Sequence, residues 1–328
     1  MTQKNLKATL FHQSAHLSEQ DLLAPSVSCP FCSATERKKV AVLQDAPDVA
    51  LLHCKNCNAA SASRMPKPET LSKYYSRYYD TFDDTEDKIT LDAPDRMASH
   101  IVRCAAPTLG SLSGRDISIL DYGGGDGSIS ARVAQELIGL GAAKVNIALV
   151  DYNKSTIATS DNRIQFYRPS DLTDIQEKTM HLVIASAIIE HIPEPREVLA
   201  QLLTSLKKDG VFYARTPYVT PLSKITKAIN IKFDFTYPAH VHDLGAKFWN
   251  NVIDVLPLEG EFSVFHSTPS IVETSFKQHF FRTLIAHTLK LPGYVFKEAY
   301  GLVGGGKFVS AVTPDARAEH RLESLFIF

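Results

Sequence analysis

Short apolar runs rich in β-branched residues alternate with helical patterns along the second two-thirds of the chain. The runs lie at 117–121, 145–150, 164–167, 182–186 and 211–216. Strands separated in this way by helices are the signature of βαβ units and a parallel sheet. One intervening helix is sharply marked. Pro195 stands near its start, Val198, Leu199, Leu202, Leu203 and Leu206 share one face, Lys207 and Lys208 are predicted for the last turn, and Gly210 follows as a stop. Two more strands are predicted at 262–265 and 307–312, separated by an aromatic-rich helix around 276–289. Lys277, Arg282 and Lys290 on that helix are read as a solvated face.

Upstream the pattern changes. Residues 1–25 show no sustained period and end in Ala-Pro-Ser, so they are read as an N-terminal arm. Residues 26–65 are poor in apolar side chains and hold two cysteine pairs, and Pro66-Lys67-Pro68 then imposes an extended break. Leu71, Tyr74, Tyr75, Tyr78, Tyr79 and Phe82 recur at helical spacing. The pattern predicts a linker helix whose tyrosines dock on the larger domain, with a place in a substrate pocket as the alternative. The expected organisation is an arm (1–25), a small module (26–65), a linker with a helical lid (66–115), an α/β domain (116–315) and a tail (316–328).

At 328 residues, with 44% hydrophobic and 22% charged residues, the chain has room for one α/β domain and a smaller module. The net charge of -1 gives no global attraction to phosphate backbones or anionic lipid, so a nucleic-acid partner is disfavoured. No leading apolar run and no bilayer-spanning stretch is present, and the expected location is the cytoplasm, without a membrane partner.

Cys29-Pro30-Phe31-Cys32 and Cys54-Lys55-Asn56-Cys57 are two CxxC knuckles separated by 21 residues. A tetrahedral zinc ion needs four soft ligands, and each two-residue gap aims both sulfurs at one point. The expectation is a structural zinc ribbon on Cys29, Cys32, Cys54 and Cys57, with redox pairs or inert thiols as the alternative. Cys104 is left over.

The run from Asp121 through Gly123, Gly124, Gly125 and Gly127 leaves a predicted strand and enters a helix with Ile129, Val133 and Leu137 on its apolar face. Glycine permits a sharp turn and close approach of a ligand, and the following helix start offers amide donors. A dinucleotide would favour G-x-G-x-x-G. Asp121, Gly123, Gly125 and Gly127 fit acidic-x-G-x-G-x-G instead, and here the chain resembles the class I S-adenosylmethionine-dependent methyltransferases.

The resemblance implies a Rossmann-like, doubly wound, mostly parallel sheet. It implies that Asp151, 24 residues after Gly127 at the end of the second strand, accepts the ribose hydroxyls, and that Tyr152 flanks the adenine. In Ser170-Asp171-Leu172 it assigns Asp171 to the adenine amino group and the Leu172 amide to the ring. The stretch from His181 to Pro193 is also similar to the family, with His181 where Asp is usual. The plain alternative makes the glycines a tight turn and Asp151 and Asp171 helix caps.

Methyl transfer is an in-line displacement, and a hydroxyl or carbon acid acceptor also needs a base. Glu190-His191 after the fourth strand and the 237–243 loop after the fifth supply candidates. His191 is the first choice, with Glu190 beside it, and His242 the second; a loop-orienting role for Glu190 and His191 is the alternative. His240, His242 and Asp243 form an H-x-H-D set read as ordinary loop residues, with a metal on their convergent ligands as the alternative. Tyr218 begins the expected acceptor-side loop.

The amine-methylating N-P-P-Y box is absent; Ser186-Ala187-Ile188-Ile189 stands there. A four-cysteine ribbon, a Tyr-Tyr-x-x-Tyr-Tyr linker and a Rossmann-like domain are together similar to bacterial methyltransferases of sugars, nucleotide-sugars and related metabolites. The expected acceptor is a small molecule, methylated on oxygen or carbon. A ribosomal or transfer RNA methyltransferase and an inactive interaction scaffold are the alternatives. The sequence carries no reading of oligomeric state.

Overall fold

The computed structural model describes residues 6–7, 12–80, 94–228, 230–267, 271–272, 275–277, 279–295 and 307–311. Phe82, Val312 and the expected tail at 316–328 lie outside them, as do the side chains of Tyr78, Tyr79 and Arg282.

The strands are β1 (Leu6–Lys7), β2 (Arg37–Gln44), β3 (Val49–Cys54), β4 (Ala60–Ala62), β5 (Asp116–Tyr122), β6 (Lys144–Val150), β7 (Ile164–Tyr167), β8 (Met180–Ser186), β9 (Leu206–Arg215), β10 (Phe233–Asp234), β11 (His242–Asp243), β12 (Phe262–His266) and β13 (Lys307–Ala311). The helices are α1 (Pro68–Asp80), α2 (Pro94–Leu109), α3 (Ser128–Gly139), α4 (Pro195–Thr204), α5 (Thr220–Ala228), α6 (Ala246–Val255) and α7 (Phe280–Val295). None of the described helices is long and apolar enough to cross a membrane.

The chain divides into two compact units. The first comprises 1–88, 189–196 and 217–256, and the second 89–188, 197–216 and 257–328.

The second unit holds a seven-stranded sheet in the order β12-β13-β9-β8-β5-β6-β7. β7, β6, β5, β8 and β9 run parallel, and β13 joins β9 antiparallel. This is the expected Rossmann-like, mostly parallel sheet. Its central strands are apolar on both faces: Ile117, Ile119, Leu120, Leu182, Val183 and Val211 are fully buried. Such runs are what a sheet covered by helices requires. The helix α2, expected within a linker, belongs to this unit. Met97, Ile101, Ala105 and Leu109 recur on one face and join the core of β5, β6 and α3.

The marked helix ends earlier than its lysines suggested. α4 stops at Thr204, and Leu206 already pairs with Met180 of β8. A register shift there absorbs Lys207–Gly210, with Asp209 at φ 63° and no room for a Cβ at Gly210, 2.8 Å from the Lys207 carbonyl. The lysines and glycine that read as a helix stop form a bulge in β9. Sheet pairing overrode local helix signals.

The first unit holds a four-stranded antiparallel sheet, β11-β4-β3-β2. Its core is assembled from distant stretches: Leu17, Leu22, Val49, Ala62, Met65, Tyr237 and Val241 form one cluster. The described part of the arm is therefore packed. Leu17 donates its amide to Gln44 Oε1 at 2.8 Å and receives the Gln44 amide on its carbonyl at 2.9 Å. In α6, Phe248, Trp249 and Val252 are fully buried, and Phe31 meets Phe248 edge-on at 4.7 Å.

Candidate functional site

In the second unit β5 and β8 are neighbours, and the strand order reverses between them. Open α/β sheets bind ligands beyond the strand C-termini at such a switch point. The glycine run leaves β5 there. Gly123, Gly125 and Gly127 have φ of 73°, 62° and 83°, a region that L side chains avoid. At Gly123 a Cβ would sit 2.6 Å from Ile188 Cγ1, whereas at Gly125 nothing lies within 4 Å. The turn is thus braced on one side and open at Gly125.

The glycine amides themselves are engaged within the protein: Gly123 donates to the Val150 carbonyl at 2.8 Å and Gly127 to Gly124 at 2.9 Å. Gly125 donates to Asp151 Oδ2 at 2.8 Å. The glycine turn and the carboxylate ending β6 therefore meet. Asp151 Oδ1 also accepts from the Asn153 amide at 2.7 Å, and a carboxylate has lone pairs left for two further donors. Beneath the turn, Asp121 is buried and its Oδ2 has no hydrogen-bond partner among the described residues. Burial raises its carboxyl to about 7, helped by Asp151 and Asp126 and opposed by the Ser130 hydroxyl.

Tyr152 is almost fully exposed. Asp171 caps the single 3-10 turn at Leu172–Asp174, accepting from the Thr173 amide at 3.0 Å, while Leu172 is buried. The capping alternative thus holds for one Asp171 oxygen. Arg168, which sequence reasoning missed, donates to the Thr156 hydroxyl, the Asn153 and Ser155 carbonyls and, at 3.3 Å, the Gly125 carbonyl. It ties the 153–156 loop to the glycine turn. The β8 strand leaves through Ala187, at φ 57°.

In the first unit the four cysteines converge. Cys29 and Cys57 sulfurs are 3.5 Å apart, and Cys32 and Cys54 3.6 Å. Tetrahedral zinc with Zn–S near 2.3 Å requires sulfurs about 3.8 Å apart, so the set fits that ion. The two knuckles are alike: Ser33 donates to the Cys29 carbonyl and Asn58 to the Cys54 carbonyl, and both residues adopt left-handed φ, 61° and 63°. The hydrogen bond shared by Cys29 and Cys57 lowers Cys29 to about 5 and, with burial, pushes Cys57 up. All four are free thiols, as is Cys104.

The H-x-H-D metal set, the alternative to ordinary loop residues, does not assemble. His242 is buried with Nδ1 at 3.0 Å from the Ser61 hydroxyl and Nε2 at 2.7 Å from the Ile192 carbonyl, so both nitrogens tie backbone segments together. Asp243 accepts from the Val219 and Thr220 amides and the Thr220 hydroxyl, fastening the start of α5. Its burial raises it to about 6. Tyr218 packs against Gly245, where a Cβ would lie 2.8 Å from its ring.

His240 turns instead toward Glu190 and His191. One ligand atom of each of the three lies within 4.8 Å of the others. His191 Nδ1 is 2.8 Å from the Ala239 carbonyl and 3.1 Å from the Tyr75 hydroxyl, and Nε2 is 3.9 Å from Glu190 Oε1. His12 stacks on His191 at 4.9 Å and lies 5.4 Å from His240. Burial, with His191 alongside, lowers His12 to about 3 and holds His240 well below its ordinary value. Tyr74 donates to the Gln13 carbonyl at 2.8 Å. Tyr75 thus bonds to residues of the 116–315 stretch on which the linker tyrosines were expected to dock, His191 and Ala239, whereas Tyr74 bonds to the arm.

Residues 91–252 match the family model described as a methyltransferase domain. By that match the segment is a methyltransferase domain. A bovine (Bos taurus) mitochondrial ubiquinone biosynthesis O-methyltransferase is 31% identical over 118 residues, which cover 34% of this chain and 31% of the relative. The matched part is thus under a third of that relative's length. Solved structures with partial similarity include a Haemonchus contortus phosphoethanolamine N-methyltransferase 2 bound to S-adenosyl-L-methionine: 14% identity, 78% of this chain, 63% of that chain, TM-score 0.43. A plantazolicin methyltransferase, bound to a triazolic desmethyl analogue and S-adenosylhomocysteine, matches at 14% identity over 74% of this chain and 90% of that one, TM-score 0.43.

The methyltransferase domain match spans both units, because 189–196 and 217–252 are matched in sequence yet cluster with the four-cysteine segment in the first unit. His12 joined the histidine cluster without a motif of its own, and the tyrosine spacing that singled out Tyr75 did not name its partner; the two contact His191 from 179 and 116 residues away, beyond any local spacing.

Proposed function

We propose that the chain transfers a methyl group from S-adenosylmethionine to a small-molecule acceptor, a sugar, nucleotide-sugar or related metabolite, on oxygen or carbon. The observation that carries the reading is the left-handed glycine turn at the switch point of the sheet, hydrogen-bonded to Asp151 at 2.8 Å. When bound, the cofactor supplies an electrophilic methyl group on a sulfonium. The buried Asp121 carboxylate faces a cationic ammonium at the amino-acid end, and Asp151 accepts the ribose hydroxyls on its remaining lone pairs. Asp171, the Leu172 amide and the exposed Tyr152 hold the adenine. The open face of Gly125 lets the ligand approach the backbone.

The assigned base is His191. Its Nδ1 proton goes to the Ala239 carbonyl, which only accepts, and this leaves Nε2 to take the acceptor's proton. Glu190 then steadies the imidazolium. Near-neutral charge and the absence of an amine-binding box support a small acceptor over nucleic acid. The ribbon's thiolates supply a structural zinc site in this reading, which adds folding energy to a module with a modest core.

Calorimetric titration with S-adenosylmethionine tests the first half: binding is expected for the full chain, with at least a tenfold loss in Asp151→Ala. No heat of binding in the unchanged protein would remove the assignment. Transfer of a radiolabelled methyl group into small-molecule rather than RNA fractions of a cell extract tests the second half, and His191→Asn is expected to lower kcat by 100-fold or more.

A further inference from the structure

Proton transfer from an acceptor asks for one base and one carboxylate, yet the first unit gathers three histidines and a glutamate at one point. Glu190, His191 and His240 each bring a ligand atom within 4.8 Å of the other two. Glu190 is 1% exposed and His191 9%. We propose that Glu190, His191 and His240 form a second metal site, for an exchangeable divalent ion of the zinc, cobalt and nickel class, distinct from the four-thiolate cluster.

Two imidazoles and one carboxylate make a borderline donor set, suited to those ions rather than to magnesium or calcium, which take oxygen ligands. Three protein ligands with an open position are the arrangement of an exchangeable or reactive zinc ion rather than a closed structural one.

The surroundings match what a metal-bound histidine needs. A ligating imidazole is oriented by a hydrogen bond from its other nitrogen. His191 Nδ1 has the Ala239 carbonyl at 2.8 Å, and His240 Nδ1 has the Thr236 hydroxyl at 3.0 Å. Both arrangements direct Nε2 as the ligand atom. His191 Nε2 already stands 3.9 Å from Glu190 Oε1, and ligand atoms around zinc at about 2.1 Å lie about 3.4 Å apart, so small side-chain rotations close the set. His12 stacks on His191 at 4.9 Å and lies 5.4 Å from His240, beside the cluster.

One consequence rests on the proposed role of His191 as base. An ion on Nε2 occupies the atom assigned to take the proton, so metal-loaded and base-competent states exclude each other. Excess zinc then inhibits methyl transfer reversibly.

The test is titration of the reduced full-length protein with Co²⁺ alone, followed by visible and near-ultraviolet absorption. Cobalt on thiolates shows sulfur-to-metal charge-transfer bands; cobalt on nitrogen and oxygen shows ligand-field bands without them. The expected result is one equivalent with ligand-field bands only, beyond whatever the thiolates take. Glu190→Gln and His240→Asn are each expected to lose that equivalent while keeping the charge-transfer bands, which report an intact ribbon. Absence of the second equivalent in the unchanged protein overturns the proposal, as does its retention in Glu190→Gln, the variant of nearly identical shape. Cobalt binding in a protein that transfers no methyl group would sink the proposed function and leave the metal site standing.

Discussion

The two compact units contrast in how they are encoded. The second is built on a sheet whose five parallel strands follow one another through 116–215, and its core faces repeat at helical and strand periods. The first is drawn from three stretches separated by 100 and 20 residues, 89–188 and 197–216: β11 pairs with β4 in the register His242↔Ser61, and Ala15 donates to the Tyr237 carbonyl. Periodicity marks a unit that closes on neighbours; it is silent about one that closes on strangers. The first unit also places its chemistry in side-chain clusters, four thiols and a histidine group, where the second places it in backbone shape.

The largest expected effect separates the two sources of stability. On the proposed structural zinc site, a chelator, or Cys57→Ser, should cost the first unit on the order of 10 kcal/mol of metal-binding free energy. Hydrogen exchange should then deprotect β2 and β3 while β5 and β6 stay protected. Simultaneous loss in both would break the contrast.

Core truncation comes next. Phe31 is fully buried between the rings of Phe248 and His242, and Phe31→Ala should destabilise the first unit by about 3–5 kcal/mol. Ile119→Ala in β5 should cost the second unit about 2–5 kcal/mol. Calorimetric scans should show each substitution moving a different transition.

Backbone shape gives a smaller, sharper comparison. Gly123→Ala adds a Cβ 2.6 Å from Ile188 at φ 73° and should cost about 1–2 kcal/mol for the conformation plus about 1–3 for the overlap. Gly125→Ala meets open space and should cost about 1–2 kcal/mol for the conformation alone. Urea midpoints of the two variants test the ordering.

The smallest effect is a pH slope. His181 Nδ1 accepts the Ser118 amide at 2.9 Å, and burial lowers the ring to about 4. Its contribution is full above the unfolded value near 6.5 and is lost as the pH falls toward 4. Asp121, raised to about 7, works oppositely: its contribution is full below about 3.8 and lost as the pH rises through 7. His181→Asn keeps an acceptor without titrating, so between pH 7 and 5 it should lose less melting temperature than the unchanged protein.

Much of the second unit was legible. Residues 164–167 match β7 at both ends, and the other parallel strands appear within a few residues of their predicted positions, because strands buried on both faces stand out as short apolar runs. The exception was the end of α4, where Lys207, Lys208 and Gly210 satisfied a local helix stop that pairing with β8 converted into a bulge. In the first unit the cysteine spacing foretold the cluster, since a two-residue gap constrains both sulfurs to one point. The H-x-H-D spacing did not foretell its histidines. His242 and Asp243 are adjacent in β11 and point to opposite sides, while His240 lies before the strand in the turn that follows Thr236, so the three took different partners.

What the sequence alone determined is what short-range geometry dictates: strand and helix periods, the left-handed glycine turn before α3, and the paired knuckles. Tertiary structure decided which distant segments share a core, and with that the setting of Glu190, His191 and His240. A hydrogen bond or buried contact between residues a hundred positions apart leaves no period in either stretch, and only the folded backbone brings its partners within reach.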